Sequence, residues 1–297
     1  MKKVLFFTET EWAFGSIHYE LTKYFFKHGV NATVMPWDKP YSQLEMNELV
    51  NAVDYFISSP YGIAILIDRY CVPPEKCIAV AHAILDIECL QSFLPEYVRR
   101  LHGYSAVSQW LVDQSQLRNI NRVPMLTPVG INCAAYHSTI NTHLSVVGYA
   151  GAINADNIHR AIKRYWLIEQ ATKSAGLEFR AAHHYHNSWV TMPGFYKQVD
   201  AVVIASTEEG AGLPALEASA AGKLVISTPV GIWLAKADTS GHTVPIDESE
   251  FVAQTVDLLN YYKDNPTAYQ QKCLETQQHA QCYDWENVIQ PWINLVT

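Results

Sequence analysis

Two rhythms of apolar and polar positions alternate along this chain. Short apolar-rich runs, bounded by glycine or polar residues, recur at residues 4–8, 31–35, 54–58, 77–81, 103–107, 145–149, 177–182, 201–205 and 224–227. Their length predicts strands, and the unbroken ones, as at 4–7 and 201–205, predict burial on both faces, as in parallel sheets covered by helices. Between them lie stretches with apolar residues three or four apart. Residues 18–28 repeat through Leu21, Tyr24 and Phe25 and end at Gly29, a natural C-cap. A helix after Gly151 ends at Gly176, residues 251–259 form another, and residues 284–295 carry Trp285 and Trp292 at core spacing. Strand alternating with helix predicts an α/β protein.

Composition narrows the class without changing that picture. A length of 297 residues suits two domains of roughly 150 each. With 49% hydrophobic and 17% charged residues the chain builds cores and is not disordered. The net charge of −8, with no basic tract, argues against nucleic acid or an anionic membrane as partner. No apolar run approaches the roughly 18 residues of a membrane span. The run after Met1-Lys2-Lys3 ends at Thr8-Glu9, too soon for the core of a signal peptide, so it reads as a first strand. Six cysteines form no CxxC pair; reduced thiols and a cytoplasmic setting are expected.

The densest pattern spans residues 206–231, STEEGAGLPALEASAAGKLVISTPVG. The strand at 201–205 leads through a glycine turn into an Ala-rich helix that carries Pro214 in its first turn and stops at Gly222. A buried strand follows, completing a βαβ unit, and the turn at a strand's C-terminal end is where such sheets bind ligands. The amides of Gly210, Ala211, Gly212 and Leu213 point out of the helix start and attract an anion. Glu209 precedes the glycines and Glu217 lies one turn into the helix, where a partly exposed carboxylate accepts hydrogen bonds from hydroxyls. Phosphate flanked by polyols describes a nucleotide sugar. Two glutamates eight apart are by themselves ordinary on a solvated helix face; the full string carries the signal.

That string resembles the donor-site signature of the retaining, two-domain glycosyltransferases of the B fold, family 4 among the group 1 enzymes. The resemblance is closest over residues 192–231 and continues over 77–132. It implies two Rossmann-like domains with the active site in the cleft between them and a C-terminal helix crossing back to the first. Expected boundaries are 1–138 for acceptor binding, 139–280 for donor binding and 281–297 for the returning helix. The implied reaction moves a sugar to a hydroxyl of a glycan or glycoconjugate with retention, the first expectation being mannose from GDP-mannose, followed by UDP-sugars. No metal or other cofactor is implied.

Residue by residue, the resemblance puts Glu217 on the ribose hydroxyls, the amides of Gly210, Ala211, Gly212 and Leu213 on the phosphates, and Glu209 on the transferred sugar. His82, ending the strand at 77–81 in AVAHAILDIE, matches a histidine that faces that sugar. Gly15, in an expected loop over 11–16, matches a glycine loop facing acceptor and sugar. Gly151 begins the turn at the diphosphate, and here the chain departs from its relatives. They carry arginine directly after this glycine and lysine some five residues on, where this chain has Ala152 and Asn157. Arg160, Lys163 and Arg164, early in the next helix, are the candidate replacements. Tyr185, within His183-His184-Tyr185-His186, falls where relatives meet the nucleobase; no acid or thiol nearby completes a metal site with these histidines. Alternatives are a nucleotide-sugar epimerase and a non-catalytic nucleotide-sugar-binding protein. A dinucleotide oxidoreductase is disfavoured because no GxGxxG follows the strands at 4–8 or 145–149.

Overall fold

A computed structural model describes residues 1–93, 97–151, 153, 157–182, 188–234 and 241–297. The chain divides into two units, Met1–Gly130 with Trp285–Thr297, and Ile131–Asp284. The first holds a parallel sheet of β1 (Lys2–Thr8), β2 (Val30–Pro36), β3 (Tyr55–Ser58), β4 (Cys77–Ala81), β5 (Gly103–Ala106) and β6 (Met125–Leu126). Its spatial order is β2-β1-β3-β4-β5-β6, with Val4 of β1 opposite Ala32 on one side and Tyr55 on the other. Val4, Leu5, Phe6 and Phe7 are all buried, which explains the unbroken apolar run. The covering helices are α1 (Trp12–Lys27), α2 (Gln43–Ala52), α3 (Pro60–Ala64), α4 (Ile84–Phe93) and α5 (Gln109–Leu117). Ser42 and Glu45 form a capping box on α2, and Ser108 caps α5 by accepting from the Leu111 amide at 3.4 Å.

The first helix departs from expectation. It starts at Trp12, so Gly15 is a buried helical residue, its amide donating to the Glu11 carbonyl at 2.9 Å, and not a loop glycine. Tertiary packing outweighs the local cost of glycine in a helix. Phe14 and His18, one turn apart, stack on each other, and His18 packs on Phe6 of β1. The other end is as expected, Gly29 taking φ +75°.

The second unit contains α6 (Cys133–Tyr136), β7 (Val146–Tyr149), α7 (Asn157–Lys163), α8 (Tyr165–Ser174), β8 (Glu178–Ala181), α9 (Met192–Tyr196), β9 (Ala201–Ile204), α10 (Leu213–Ala220), β10 (Leu224–Ser227), β11 (His242–Thr243), α11 (Glu248–Asp264) and α12 (Pro266–Ala280). The sheet, again parallel, runs β11-β10-β9-β7-β8. Counted within each unit, both sheets have the order 2-1-3-4-5, β6 being an addition to the first. The order reverses between β1 and β3 in one unit and between β7 and β9 in the other. Such reversals open a crevice at the carboxyl ends of the strands.

The last residues, α13 (Trp285–Val288) and α14 (Gln290–Asn294), belong to the first unit. The Trp285 ring fills the space over Gly130, where a Cβ would lie 2.5 Å from it, and the Trp292 indole donates to the Pro128 carbonyl at 2.8 Å. Lys27 pairs with Glu286. Where one helix was expected over 284–295 there are two, Pro291 opening the second. The units part after Gly130, not 138, because the segment from Ile131 is tied to the second unit. The Cys133 amide donates to Asp284 at 3.1 Å and the Ser138 hydroxyl to the Ala221 carbonyl at 2.7 Å.

Candidate functional site

β9 is buried throughout and delivers the glycine turn to the edge where the second sheet's order reverses. Gly212 takes φ +78° as the N-cap of α10, a conformation glycine adopts without a steric penalty. Gly231 is needed for close approach: at φ +56°, its Cβ would lie 2.6 Å from the Ala211 carbonyl oxygen, which accepts from the Ile232 amide at 3.2 Å. Among the described residues, none accepts a hydrogen bond from the amides of Gly210, Ala211, Gly212 or Leu213. Beside these amides, Glu209 Oε1 accepts from Lys163 Nζ at 2.6 Å and from the Ser206 hydroxyl at 2.7 Å. The Thr207 amide donates to the Ile162 carbonyl at 2.9 Å, fixing the end of α7 to the turn. Lys163, Glu209 and the amide turn are thus gathered at one strand end.

The other basic candidates have different employment. The expected single helix is broken into α7 and α8 at Arg164, whose φ is +47°. Arg164 is buried and donates through Nε to the Ala205 carbonyl at 2.7 Å and through Nη1 to the Ile246 carbonyl at 2.8 Å. Burial lowers its pKa, against the opposing pull of Glu248 and Asp247. It therefore ties β9 to the segment before α11. Arg160 lies over the Tyr165 and Trp166 rings, 5.8 and 5.7 Å from their centroids. Gly151 is glycine because of Tyr149, whose hydroxyl oxygen would stand 2.5 Å from a Cβ there. Ala152 and Tyr185, with His183, His184 and His186, lie outside the described residues, as does the Asn157 side chain. Among the described residues no group of three or more His, Cys, Asp or Glu is arranged to hold a metal.

Glu217 differs most from the sequence reading. It is 5% exposed, not partly exposed, and its oxygens accept from the hydroxyls of Tyr136 and Tyr196, each at 2.7 Å. Burial pushes the carboxyl up to about 7 even though both tyrosines favour its ionised form. The two glutamates of the signature have separate partners. Sequence reasoning missed both tyrosines, since neither falls at a helical spacing from Glu217.

In the first unit, His82 follows β4, and the His82 and Ala83 amides donate to Asp86 Oδ2 at 2.7 and 3.0 Å as α4 begins. Its ring stands edge-on to Phe14, 5.0 Å between centroids, and to His18 at 5.9 Å. His18, 1% exposed, places Nδ1 2.9 Å from the Phe14 carbonyl oxygen and 3.1 Å from the Thr8 hydroxyl. A carbonyl only accepts, so Nδ1 carries the proton and Nε2 keeps a lone pair. Nε2 of both histidines is buried without a hydrogen-bond partner among the described residues. Burial pushes His18 down to about 4, and burial with the neighbouring His18 pushes His82 down to about 3, so both are neutral bases near pH 7. His18 carried no functional signal in the sequence, where it only opened an apolar helical repeat.

Comparison with known proteins agrees with this geometry. Residues 134–261, all within the second unit, match the family described as Glycosyl transferases group 1. D-inositol 3-phosphate glycosyltransferase of Arthrobacter sp. is 29% identical over 119 residues, 40% of this chain and 28% of that protein's length. The match thus spans less than a third of that relative. Among solved structures, Anabaena HepE in complex with UDP and glucose superimposes with a TM-score of 0.67 at 14% identity, covering 99% of both chains. The catalytic domain of Arabidopsis thaliana starch synthase IV bound to ADP and acarbose gives 0.73 at 11% identity, covering 100% of this chain and 98% of the other. No described helix is long and apolar enough to cross a membrane. The fold is that of the two-domain B-fold glycosyltransferases, and residues 134–261, which carry the glycine turn with Lys163, Glu209 and Glu217, match the family described as Glycosyl transferases group 1.

Proposed function

We propose that this chain transfers a sugar from a nucleoside diphosphate sugar to a hydroxyl acceptor with retention of anomeric configuration. The observation that carries the reading is the Lys163, Glu209 and Ser206 cluster beside four amides without partners among the described residues, at the reversal point of the sheet. The amides of Gly210 to Leu213 bind the diphosphate, and Lys163 supplies the cation that relatives place nearer the preceding strand. As Lys163 turns to phosphate, Glu209 is released to accept from hydroxyls of the sugar. Glu217 takes the ribose diol by exchanging a tyrosine hydroxyl for a ribose hydroxyl. His82, a neutral imidazole, hydrogen-bonds the transferred sugar through Nε2.

Leaving-group stabilisation by fixed amides and one ammonium is electrostatic and calls for no divalent ion. Transfer should therefore survive EDTA; loss of activity restored by magnesium or manganese would refute this part. No carboxylate is assigned to the face opposite the leaving group, and proton NMR of the product reads the resulting anomer. The two solved neighbours above hold UDP and ADP, so calorimetric titration should set UDP-glucose and ADP-glucose beside GDP-mannose. Lys163→Ala should weaken the preferred donor about tenfold or more, while Arg160→Ala changes it less than about twofold, because only Lys163 faces the turn. Equal effects would remove Lys163 from its role. A second reading, binding without turnover, is favoured by the full engagement of Glu217 with tyrosines; tight donor binding with no product in the presence of a broad acceptor panel would establish it.

A further inference from the structure

The carboxyl end of β7 carries a proton donor that the proposed reaction leaves unused. Val147 and Gly148 of β7 pair with Ala201 and Val202 of β9, so the turns at Gly151 and Ser206 leave the sheet from neighbouring strands. Tyr149 closes β7. Its carbonyl oxygen accepts from the Ala182 amide at 2.8 Å, and its ring, only 6% of the residue being exposed, packs 6.0 Å from that of Tyr165. The side chain folds back over the turn: a Cβ at Gly151 would stand 2.5 Å from the hydroxyl oxygen and 2.6 Å from Cζ. Among the described residues the hydroxyl has no hydrogen-bond partner. Burial, then Glu209, then Tyr165 push the phenol above its ordinary value, so it remains a neutral donor. The influence of Glu209 also puts the hydroxyl within electrostatic reach of the pair that Glu209 forms with Lys163.

We propose that Tyr149 is a further residue of the transfer reaction, its hydroxyl donating to the terminal phosphate of the nucleoside diphosphate leaving group from the turn where relatives carry arginine. Arginine would bring a full charge and a fork of donors to that turn; the phenol brings one directed O–H. An ionised phosphate oxygen is the acceptor that suits it, since hydrogen bonds to ionised acceptors are about twice as strong as neutral ones. Glu209, the competing acceptor in reach, is already taken up by Lys163 and Ser206. The terminal phosphate is favoured over the inner one because Glu209 is assigned to the transferred sugar, which is joined to that phosphate. The two duties of the missing arginine are thus divided, Lys163 supplying the charge and Tyr149 the direction. As the sugar departs, negative charge grows on the terminal phosphate, and a fixed donor there binds the transition state more tightly than the ground state.

This role rests on the transferase reading, and the test keeps the two apart. Calorimetric titration of the full chain with UDP, ADP and GDP, each beside its monophosphate, identifies the preferred base. Tyr149→Phe, which keeps the ring over Gly151, should weaken the preferred diphosphate about tenfold and its monophosphate less than about twofold. Turnover of the matching sugar nucleotide should fall at least as far. Tyr165→Phe, the other member of the aromatic pair, should change neither. In the unaltered chain, NMR of tyrosine labelled at Cζ should show the Tyr149 resonance, assigned by its loss in the Phe variant, moving with the diphosphate and staying with the monophosphate. Unchanged binding or equal weakening of both nucleotides in Tyr149→Phe, or an unmoved resonance, would overturn the proposal. So would lost turnover with diphosphate affinity intact, which would assign the hydroxyl to Glu209 and the sugar. In each of these cases a parent protein that prefers the diphosphate leaves the transferase reading standing. A parent with no such preference would sink both.

Discussion

The two units build their sheets in the same order and then furnish the strand ends with opposite chemistry. At the end of β4, His18 and His82 are packed among aromatic rings and held as neutral bases. At the end of β9, Glu209 accepts from the Lys163 ammonium, while Glu217 in the helix that follows is buried so completely that its carboxyl is pushed up to about 7. A common scaffold thus sets only where functional groups stand. Whether each is charged follows from what packs around it, and burial works in opposite directions on a base and an acid.

The largest test of that contrast removes its most buried acid. Glu217→Ala strips two buried tyrosine hydroxyls of their acceptor, at about 1–3 kcal/mol each. The second unit should lose about 3 kcal/mol while the first is unchanged, read by hydrogen exchange of peptides from β9 and β10 against β1 and β4. Unaltered protection in β9 and β10 would show that the tyrosines do not depend on Glu217.

Acidification should separate the units next. Because His18 and His82 are depressed in the folded state, the unfolded chain takes up protons first as pH falls below about 6.5, and stability they supply at neutral pH is lost from there toward pH 4. Asp86, raised by burial to about 6, and Glu9 oppose this in part. Glu217 has the reverse sign: its folded pKa of about 7 exceeds the unfolded value, so it adds stability as pH falls from 7 toward 4.5. That gain offsets the loss from His242, which burial depresses to about 4. Between pH 7 and 5 the first unit should lose on the order of 2 kcal/mol and the second stay nearly level. Urea titrations at the two pH values, followed by hydrogen exchange in each unit, check it; equal losses would mean that the histidines are not held neutral.

A smaller effect sharpens the functional side of the comparison. His82→Ala and Glu209→Ala should each slow turnover at least about tenfold, a barrier increase of about 1.4 kcal/mol, while UDP binding is retained. An interaction strengthened in the transition state is lost from turnover, not from nucleotide affinity. Glu209→Ala also frees Lys163, so UDP should bind as tightly as before or more tightly. A His82→Ala protein with full turnover would confine this histidine to packing against Phe14 and His18.

Local pattern was enough to place nine of the strands, most sharply those buried on both faces, which must be apolar without interruption, as in Ala201–Ile204. It also located the glycines that need positive φ at helix ends, Gly29, Gly176 and Gly222, and the amide turn from Gly210 to Leu213. Those preferences act over a few residues. The decisions made only by the tertiary structure span long separations. Glu217 is buried by Tyr136, 81 positions away, Arg164 breaks a helix to reach the carbonyl of Ala205, 41 positions on, and Lys163 meets Glu209 across 46. Likewise α1 runs through Gly15 because Phe14 and His18 find partners on β1 and beside His82. Charge state and exposure belong to that second class, since both depend on which distant groups exclude water from a side chain, and a sequence read in short windows does not contain that information.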